Sequence, residues 1–418
     1  MKKLIIEGGR ELSGTIKISG AKNSAVALIP AAILSDEKVT IYNVPDISDT
    51  HALIDIMNQL GAKINYENEI MSIDTSDIKN TMIEEKYAKK LRASYYFMGA
   101  LLSKFKSVEM YFPGGCNIGK RPIDLHLKGF ESLGATIENI GDKFIIKADK
   151  LTGARIYLDF ASVGATINIM LAAVKAEGET IIYNAAKEPE IVNIATFLNN
   201  MGADITGAGT SEIHIEGVEK LGEAIIDVIP DRIEAGTYLI AGALAGNELK
   251  IDSIIKEHID ALIAKLKEAG IKMKVKENNI IVSKSNKMKP INVKTLVYPG
   301  FPTDLGQPIT VLLTQCNGKS IFEETIWETR FGHVDHLNNM GASLTHNNKT
   351  AIISGPTKLI GTDVIASDLR AGAALVIAGL VAEGETVITD IEHILRGYEN
   401  IVEKLNNVGA KIRIEDID

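Results

Sequence analysis

The sequence predicts an α/β protein of six repeats, each about 70 residues long, with three repeats in each of two domains. The main observation is a short pattern in which an apolar helix end is followed by glycine and then by alternating polar and apolar residues. It recurs at Gly61, Gly134, Gly202, Gly270, Gly341 and Gly409. Glycine directly after a helix favours the left-handed cap, and the alternation is typical of a strand. The second observation is the length of 418 residues, which is too long for one hydrophobic core.

The same elements follow one another in each repeat: a helix of small apolar residues, a strand, an amphipathic helix that ends at the glycine, and a β-hairpin. In the first repeat the first three are SAVALIPAAIL at 24–34, VTIYNV at 39–44 and THALIDIMNQL at 50–60. Similar small-residue segments occur later, for example TINIMLAAVKA and AGAALVIAGLVA. Because these first helices lack a charged face, we expect them to be buried on all sides.

The two ends of the chain complement each other. The segment LIIEGGRELSGTIKI at 4–18 matches the hairpin that precedes a first helix, although no repeat comes before it. The last repeat stops at AKIRIEDID and lacks the rest of its hairpin. We therefore expect the amino-terminal strands to complete the sixth repeat. The predicted domains are 22–229 and 1–21 plus 230–418.

Composition excludes several functional classes. The formal charge is −9 and no Lys/Arg run tracks a phosphate backbone, so we expect no nucleic acid partner. No apolar stretch reaches the roughly 20 residues of a membrane helix. The amino terminus also turns polar too early for a signal peptide, so we expect a cytoplasmic protein without membrane insertion. Cysteines and histidines show no metal-ligand spacing and no dinucleotide fingerprint is present, so we expect neither metal nor cofactor.

Two sets of residues recur at equivalent positions of the repeats and predict an anion-binding site. The first set lies at or just before the start of the first helices and comprises Lys22, Arg92, Ser162–Thr166, Arg232, Asp304 and Arg370. The second set is expected to open the second helices and comprises Arg121, Arg330 and Arg396. Helix amino termini present unpaired N–H groups and a positive dipole, and arginine adds bidentate recognition of carboxylate or phosphate. Any one of these residues alone is equally typical of a solvated charge or a helix cap.

Asp304, in FPTDLGQ, is an acid at a position where most of its counterparts are basic. A carboxylate whose charge is held by cationic neighbours is a candidate general base. The alternative is a helix amino-terminal cap, since aspartate is among the best capping residues. The sequence leaves both interpretations open.

The two cysteines lie in contrasting surroundings. Cys116, in YFPGGCNIGKRPIDLH, lies in a glycine-rich segment close to Lys120 and Arg121, which favours an accessible thiol of lowered pKa. The alternative for Cys116 is a small buried hydrophobic residue. That description suits Cys316 better, because it ends the apolar run ITVLLTQC.

The chain resembles the UDP-N-acetylglucosamine 1-carboxyvinyltransferases of the enolpyruvyl transferase family along essentially its full length. The segments that carry the resemblance are GAKNSA at 20–25, PGGCNIGKRPIDLH at 113–126, SVGAT at 162–166, FPTD at 301–304, SDLRAG at 367–372 and RGYE at 396–399. The resemblance implies a two-domain inside-out α/β barrel, with helices buried and sheets outside. It also implies transfer of the enolpyruvyl group of phosphoenolpyruvate to the 3-hydroxyl of UDP-N-acetylglucosamine, with release of phosphate.

The resemblance further implies roles for individual residues. Cys116 would be the proton donor, Asp304 the base at the sugar hydroxyl, and Lys22 a catalytic and phosphoenolpyruvate-binding residue. Phosphoenolpyruvate would also be held by Asn23, Arg121 and Arg396, and its carboxylate by Arg330 and Arg370. The nucleotide sugar would be lined by Arg92, Arg121, Pro122, Ile123, Asp124, Leu125, Ser162, Val163, Gly164, Asp304 and Ile326. Two alternatives remain, namely 3-phosphoshikimate 1-carboxyvinyltransferase activity and a catalytically silent paralogue that binds a nucleotide sugar.

Overall fold

The structure is a computed structural model that describes residues 2–113, 123–328 and 330–417. These residues divide into two compact units. The amino-terminal unit lies within 20–229, and the carboxy-terminal unit combines 2–19 with the described residues from 230 onward. Each unit has its own hydrophobic core.

The helices vary from one to four turns and are spread over both units. In chain order they are α1 Lys22–Ala31, α2 Ser48–Leu60, α3 Glu85–Ala88, α4 Tyr96–Phe105, α5 Asp124–Ser132, α6 Val163–Ala173, α7 Pro189–Asn200, α8 Arg232–Ala245, α9 Asp260–Glu268, α10 Gly306–Leu313, α11 Val334–Asn339, α12 Leu369–Val381, α13 Glu392–Leu395 and α14 Ile401–Asn406. Short 3-10 helices cover Ala32–Leu34, Arg92–Tyr95, Lys256–Ile259 and Thr303–Leu305.

The strands are short. Those before residue 230 are β1 Lys2–Glu7, β2 Thr15–Lys17, β3 Val39–Tyr42, β4 Lys63–Glu67, β5 Ile70–Asp74, β6 Met82–Ile83, β7 Ser107–Tyr111, β8 Thr136–Ile140, β9 Lys143–Lys147, β10 Arg155–Tyr157, β11 Glu179–Tyr183, β12 Asp204–Thr206, β13 Glu212–Glu216 and β14 Ile225–Asp227. Those after it are β15 Leu249–Asp252, β16 Met273–Val275, β17 Asn279–Val282, β18 Asn292–Lys294, β19 Gly318–Glu323, β20 Ser343–Asn347, β21 Thr350–Gly355, β22 Asp363–Ile365, β23 Glu385–Thr389 and β24 Lys411–Asp416.

The sheet pairing repeats six times. Within the described residues the strands form six four-stranded sheets, and none of these closes into a barrel. In each sheet a short edge strand runs parallel to its neighbour, and the remaining two pairings are antiparallel, as in β14-β3-β5-β4. The other sheets are β6-β7-β9-β8, β10-β11-β13-β12, β16-β17-β15-β2, β18-β19-β21-β20 and β22-β23-β1-β24. The predicted six-repeat α/β fold is confirmed.

The first helices of the repeats form the centre of each unit, as their lack of a charged face predicts. In α6 every residue from Gly164 to Ala173 is buried, and α8 and α12 are buried almost throughout. In the carboxy-terminal unit α8, α10 and α12 pack against one another, while the sheets present side chains such as Ile321 and Ile352 to solvent. Helices inside and sheets outside therefore describe each unit.

The amino-terminal strand completes the last repeat, as expected from the sequence. Strand β1 lies in the middle of its sheet and pairs antiparallel with both β23 and β24. The recurring glycines also behave as predicted, because all six have a positive φ between 88° and 109°. This left-handed conformation ends each second helix and directs the chain into the following strand.

Candidate functional site

The carboxylate of Asp304 lies between two buried arginines. Arg330 donates from Nη2 to Oδ1 of Asp304 at 2.8 Å, and Arg370 donates from Nη2 to Oδ2 at 2.8 Å. The arginine side chains are only 4% and 5% exposed, whereas that of Asp304 is 25% exposed. Each guanidinium thus neutralises one oxygen of a carboxylate that keeps partial access to solvent.

These charges decide the ionisation of Asp304. Burial by itself would raise the pKa of Asp304, but the charges of Arg370 and Arg330 and their hydrogen bonds lower it well below its usual range. Burial would likewise lower the pKa of Arg370, but the charge of Asp304 raises it. Asp304 is therefore ionised at neutral pH. The alternative interpretation of Asp304 as a helix cap is wrong, because its side chain bonds to arginines and α10 begins without a side-chain cap.

Arg370 is fixed by its helix. Asp368 precedes α12, and its Oδ1 accepts from the backbone N–H groups of Arg370 and Ala371 at 2.8 and 3.0 Å. The second Nη of Arg370 donates to the hydroxyl of Tyr398 at 3.1 Å, and this hydroxyl also bonds to Thr237 of α8 at 2.8 Å. These contacts show that the amino-terminal ends of α10 and α12 meet at Asp304.

Arg330 and Ile326 come from the segment that follows β19. Arg330 donates from Nη1 to the hydroxyl of Thr303 at 2.7 Å, and Ile326 donates its backbone N–H to the buried Glu324 at 2.7 Å. Arg330 does not open a helix as expected from the sequence, since α11 begins only at Val334. Arg330 lies between β19 and α11, so its side chain reaches Asp304 from a segment outside both elements.

Arg396 also departs from its expected place. It follows α13 and precedes α14, which begins at Ile401, so it caps the end of one short helix instead of opening the next. The side chain is half-buried. The structure thus places Arg396 in the carboxy-terminal unit with Asp304, Arg330 and Arg370, two residues from Tyr398.

In the amino-terminal unit Lys22 is the first residue of α1 and Asn23 is the second. The ammonium group of Lys22 lies 3.0 Å from Oδ2 of Asp49, whose side chain is 3% exposed. Asn23 is half-buried. The position of Lys22 at a helix amino terminus agrees with the expectation from the repeats.

A second cluster in this unit surrounds His126 of α5. The ring of His126 packs edge-on against Tyr95 with centroids 4.9 Å apart, and its Nδ1 lies 2.9 Å from Nδ2 of Asn168. A Cβ on Gly164 would lie 2.9 Å from Cε1 of His126 and 3.0 Å from the hydroxyl of Tyr95, so this close approach requires glycine. The start of α6 therefore lies directly against the side chains of His126 and Tyr95.

The hydrogen bonds assign the tautomer of His126. Asn168 accepts from the N–H of Gly99 through Oδ1, so its amide nitrogen is the donor to Nδ1 of His126. Nε2 then carries the ring proton. Burial, and to a lesser extent the charge of Arg92, lowers the pKa of His126 to about 3. His126 is therefore a neutral donor, and burial also lowers the pKa of Arg92.

The remaining predicted residues of this unit lie at the same helix ends. Arg92 begins the 3-10 helix before α4, and Ser162 caps α6 by accepting from the N–H of Ala165 at 3.2 Å. The others lie at the starts of α5 and α6 and are Ile123, Asp124, Leu125, Val163 and Gly164. The structure thus brings together Arg92, the start of α5 and the start of α6.

Three predicted residues lie outside the described part of the chain, namely Cys116, Arg121 and Pro122. Cys316 is fully buried after α10, and burial raises the pKa of its thiol to about 11. Within the described ranges, no group of three or more His, Cys, Asp or Glu residues is arranged to hold a metal ion. No described helix is long and apolar enough to cross a membrane.

Sequence reasoning missed four residues that shape these clusters: Asp368, Glu324, His126 and Asn168. Asp368 stands two positions before Arg370, a spacing that is typical of a helix cap. His126 ends the PIDLH segment, but its burial becomes evident only from the packing of α5 against α6. Nothing local in the sequence marks Glu324 or Asn168.

This chain is similar in sequence to known proteins along nearly its full length. The EPSP synthase (3-phosphoshikimate 1-carboxyvinyltransferase) family model matches residues 6–405. A protein named UDP-N-acetylglucosamine 1-carboxyvinyltransferase 2 from Geobacillus kaustophilus is 55% identical, over 99% of this chain and 96% of its own length. One with the same name from Listeria monocytogenes is 52% identical, over 98% and 97%. The chain belongs to the UDP-N-acetylglucosamine 1-carboxyvinyltransferases, within the EPSP synthase family.

Solved structures agree with this enolpyruvyl transferase assignment. The enolpyruvyl transferase NikO from Streptomyces tendae superposes with a TM-score of 0.91 at 27% identity, covering 99% of this chain and 98% of that one. An EPSP synthase from Acinetobacter baumannii superposes with a TM-score of 0.78 at 18% identity, over the full length of both chains. The second likeness concerns the fold alone.

In this enolpyruvyl transferase we expect His126 to stay neutral between about pH 5 and pH 8. Its folded pKa of about 3 lies below the usual value near 6.5, so the unfolded chain binds this proton first as the pH falls. The stability that His126 contributes is complete above about pH 6.5 and is lost between there and about pH 3.

Long-range nitrogen–proton NMR of the imidazole rings measures this directly, and His214 is the internal control. Hydrogen bonds to Glu179 and Glu212 raise the pKa of the exposed His214 ring, so it should titrate above 6.5. A His126 ring that titrates together with His214, or that carries its proton on Nδ1, would show that the assignment is wrong.

Proposed function

We propose that the chain transfers the enolpyruvyl group of phosphoenolpyruvate to the 3-hydroxyl of UDP-N-acetylglucosamine and releases phosphate. The observation that carries this proposal is the 52–55% identity, over nearly the whole chain, to proteins named for that activity. The reaction is the first committed step of peptidoglycan biosynthesis. We accordingly place the enzyme in the cytoplasm, with a role in cell shape and cell division.

The reaction is an addition followed by an elimination. In the addition, the sugar oxygen bonds to C2 of phosphoenolpyruvate, C3 gains a proton, and a base takes the hydroxyl proton. In the elimination, C3 loses a proton, the C2–O bond to phosphate breaks, and phosphate leaves with that electron pair. Because charge develops on several oxygens, fixed cations and helix amino termini stabilise the transition states.

Asp304 is our candidate for the base at the sugar hydroxyl. With both oxygens held by arginines, its pKa is lowered well below its usual range, which makes it a weak base. We assign the carboxylate of phosphoenolpyruvate to Arg330 and Arg370, where it competes with Asp304 for the same guanidinium groups. Loss of these bonds raises the pKa of Asp304, so that binding of one substrate prepares the carboxylate to accept a proton from the other.

The remaining assignments rest on the resemblance and on position. We assign Lys22, Asn23, Arg121 and Arg396 to phosphoenolpyruvate and its phosphate. We assign Arg92, the segment 121–125, the segment 162–164 and Ile326 to the nucleotide sugar. The start of α6, with its N–H groups and the facing ring of His126, has the chemistry that suits a diphosphate.

Phosphate release distinguishes this proposal from its alternatives. We expect release from phosphoenolpyruvate with UDP-N-acetylglucosamine and none with shikimate 3-phosphate.

Asp304→Asn should lower kcat by about 10²- to 10⁴-fold, because an amide cannot accept the hydroxyl proton. Asp363→Asn, at an exposed position of β22, is the matched control and should retain full turnover.

Two outcomes would contradict the proposal. Release with shikimate 3-phosphate alone would assign the activity after which the family model is named. No release with either acceptor, from a protein that binds UDP-N-acetylglucosamine, would identify a silent paralogue.

Cys116 is our candidate proton donor. We expect the epoxide fosfomycin, a phosphoenolpyruvate mimic, to alkylate Cys116 alone and to react faster when nucleotide sugar is bound. The thiolate opens the ring by forming a C–S bond, and the epoxide oxygen takes up a proton. Cys116→Asp keeps a proton donor without the nucleophile and should be active and resistant, whereas Cys116→Ser should be nearly inactive because a hydroxyl is far less acidic than a thiol.

Peptide mass mapping after inactivation locates the label. Cys316→Ala is the matched control, since burial raises the pKa of this thiol to about 11 and we expect no reaction there. Label on Cys316, or inactivation of Cys116→Asp at the wild-type rate, would refute the assignment.

A further inference from the structure

Glu324 is a fully buried carboxylate directly after β19. Its Oε1 accepts from the hydroxyl of Thr295 at 2.8 Å and from the N–H groups of Ile326 and Trp327 at 2.7 and 3.2 Å. Its Oε2 accepts from the hydroxyl of Thr303 at 2.6 Å. Within the described residues all four donors are uncharged. A neutral residue of the same shape would fill the same space but could accept fewer hydrogen bonds. What the carboxylate adds is its capacity to accept at both oxygens.

The Oε2 side connects Glu324 with Arg330. The single proton of the Thr303 hydroxyl is donated to Glu324, so the oxygen lone pairs of Thr303 are available to accept from Nη1 of Arg330 at 2.7 Å. Without Glu324 as its acceptor, the Thr303 hydroxyl would rotate to donate elsewhere. Its lone pairs would then no longer face the guanidinium of Arg330. Glu324 therefore sets the direction of the relay from Arg330 through Thr303 to itself, and such chains strengthen each bond in them.

The Oε1 side fixes the backbone of the residues that follow β19 and precede Arg330. The N–H groups of Ile326 and Trp327 hold the segment after β19 against Glu324, and the N–H of Thr325 donates to the hydroxyl of Thr295 at 2.8 Å. Thr295 follows β18, and Thr303 begins the 3-10 helix that contains Asp304. One carboxylate thus joins the loop that supplies Arg330 to the loop that supplies Asp304.

We propose that Glu324 is a positioning residue for the Asp304–Arg330 pair. It does not touch the substrates; it holds Nη2 of Arg330 at 2.8 Å from Asp304 and holds Ile326 at the edge of the same cluster. The effect on turnover rests on the proposed function, but the effect on the geometry of the pair does not. A displacement of a reacting group by about 1 Å can cost about 10²-fold in rate.

Glu324→Gln tests the proposal because it keeps the shape and removes half of the accepting capacity. The amide nitrogen must face either the N–H groups of Ile326 and Trp327 or the hydroxyl of Thr303. We expect kcat to fall by about 10- to 100-fold with a smaller change in KM for UDP-N-acetylglucosamine. We also expect the carboxyl carbon-13 signal of Asp304 to shift in the unliganded protein.

Two further variants separate positioning from stability. Thr303→Val removes the relay and should lower kcat, the double variant should lose less than the product of the two single effects, and Thr303→Ser should keep the wild-type rate. Ile353→Val, in the buried face of β21 of the same sheet, is the control that lowers stability with kcat unchanged.

The outcomes are distinct. In one outcome Glu324→Gln keeps the wild-type kcat and an unshifted carbon-13 signal of Asp304 while its stability falls as in Ile353→Val. That result would show that Glu324 contributes to stability alone. If the wild-type protein has no transferase activity, the proposed function fails, and the Asp304 signal alone then decides the role of Glu324. If Glu324→Gln does not fold, Thr303→Val and Thr303→Ser decide between the two roles, and equal signals and rates in these two variants would refute the relay.

Discussion

The ion pairs of Asp304 with Arg330 and Arg370 are the interaction around which the candidate site of the carboxy-terminal unit is arranged. Two guanidinium groups that are almost fully buried would be costly without a counter-charge, and Asp304 supplies one oxygen to each at 2.8 Å. The supporting residues follow from this requirement. Asp368 caps the helix that carries Arg370, and Thr303 with Glu324 orients Arg330. Together these contacts hold the carboxylate of Asp304 ionised between its two arginines.

The repeat architecture explains why such chemistry collects where it does. Each unit buries its first helices at the centre, so their amino-terminal N–H groups cannot all be satisfied by water at the surface. Ser162 accepts from an N–H of α6 and Asp368 from two N–H groups of α12, while the cationic Lys22 and Arg92 lie at other helix starts of the amino-terminal unit. A helix amino terminus and a nearby cation both favour anions, so we propose these helix starts as anion sites.

Local patterns predicted the repeats, the buried first helices, the glycine caps and the completion of the last sheet by β1, because each depends on periodicity or on a backbone conformation that glycine favours. The positions of Arg330 and Arg396 were predicted incorrectly, since loop residues keep no helical register. The neutral His126 and the carboxylate of Glu324 were missed because their roles depend on partners far along the chain, such as Asn168 and Thr303. The roles of the predicted site residues, Cys116, Arg121 and Pro122 among them, remain predictions.

The ionisation of Asp304 is the central claim, and its carboxyl carbon-13 signal measures it most directly. Protein labelled at the aspartate carboxyl carbons, with the Asp304 signal identified by its loss in Asp304→Asn, would be titrated without substrates. Because both arginines hold the pKa of Asp304 well below its usual range, we predict an ionised signal from pH 8 down to about pH 3.5. In Arg330→Gln the signal should titrate at a higher pH than in the wild type. A wild-type midpoint between about pH 4 and pH 7 would contradict the account.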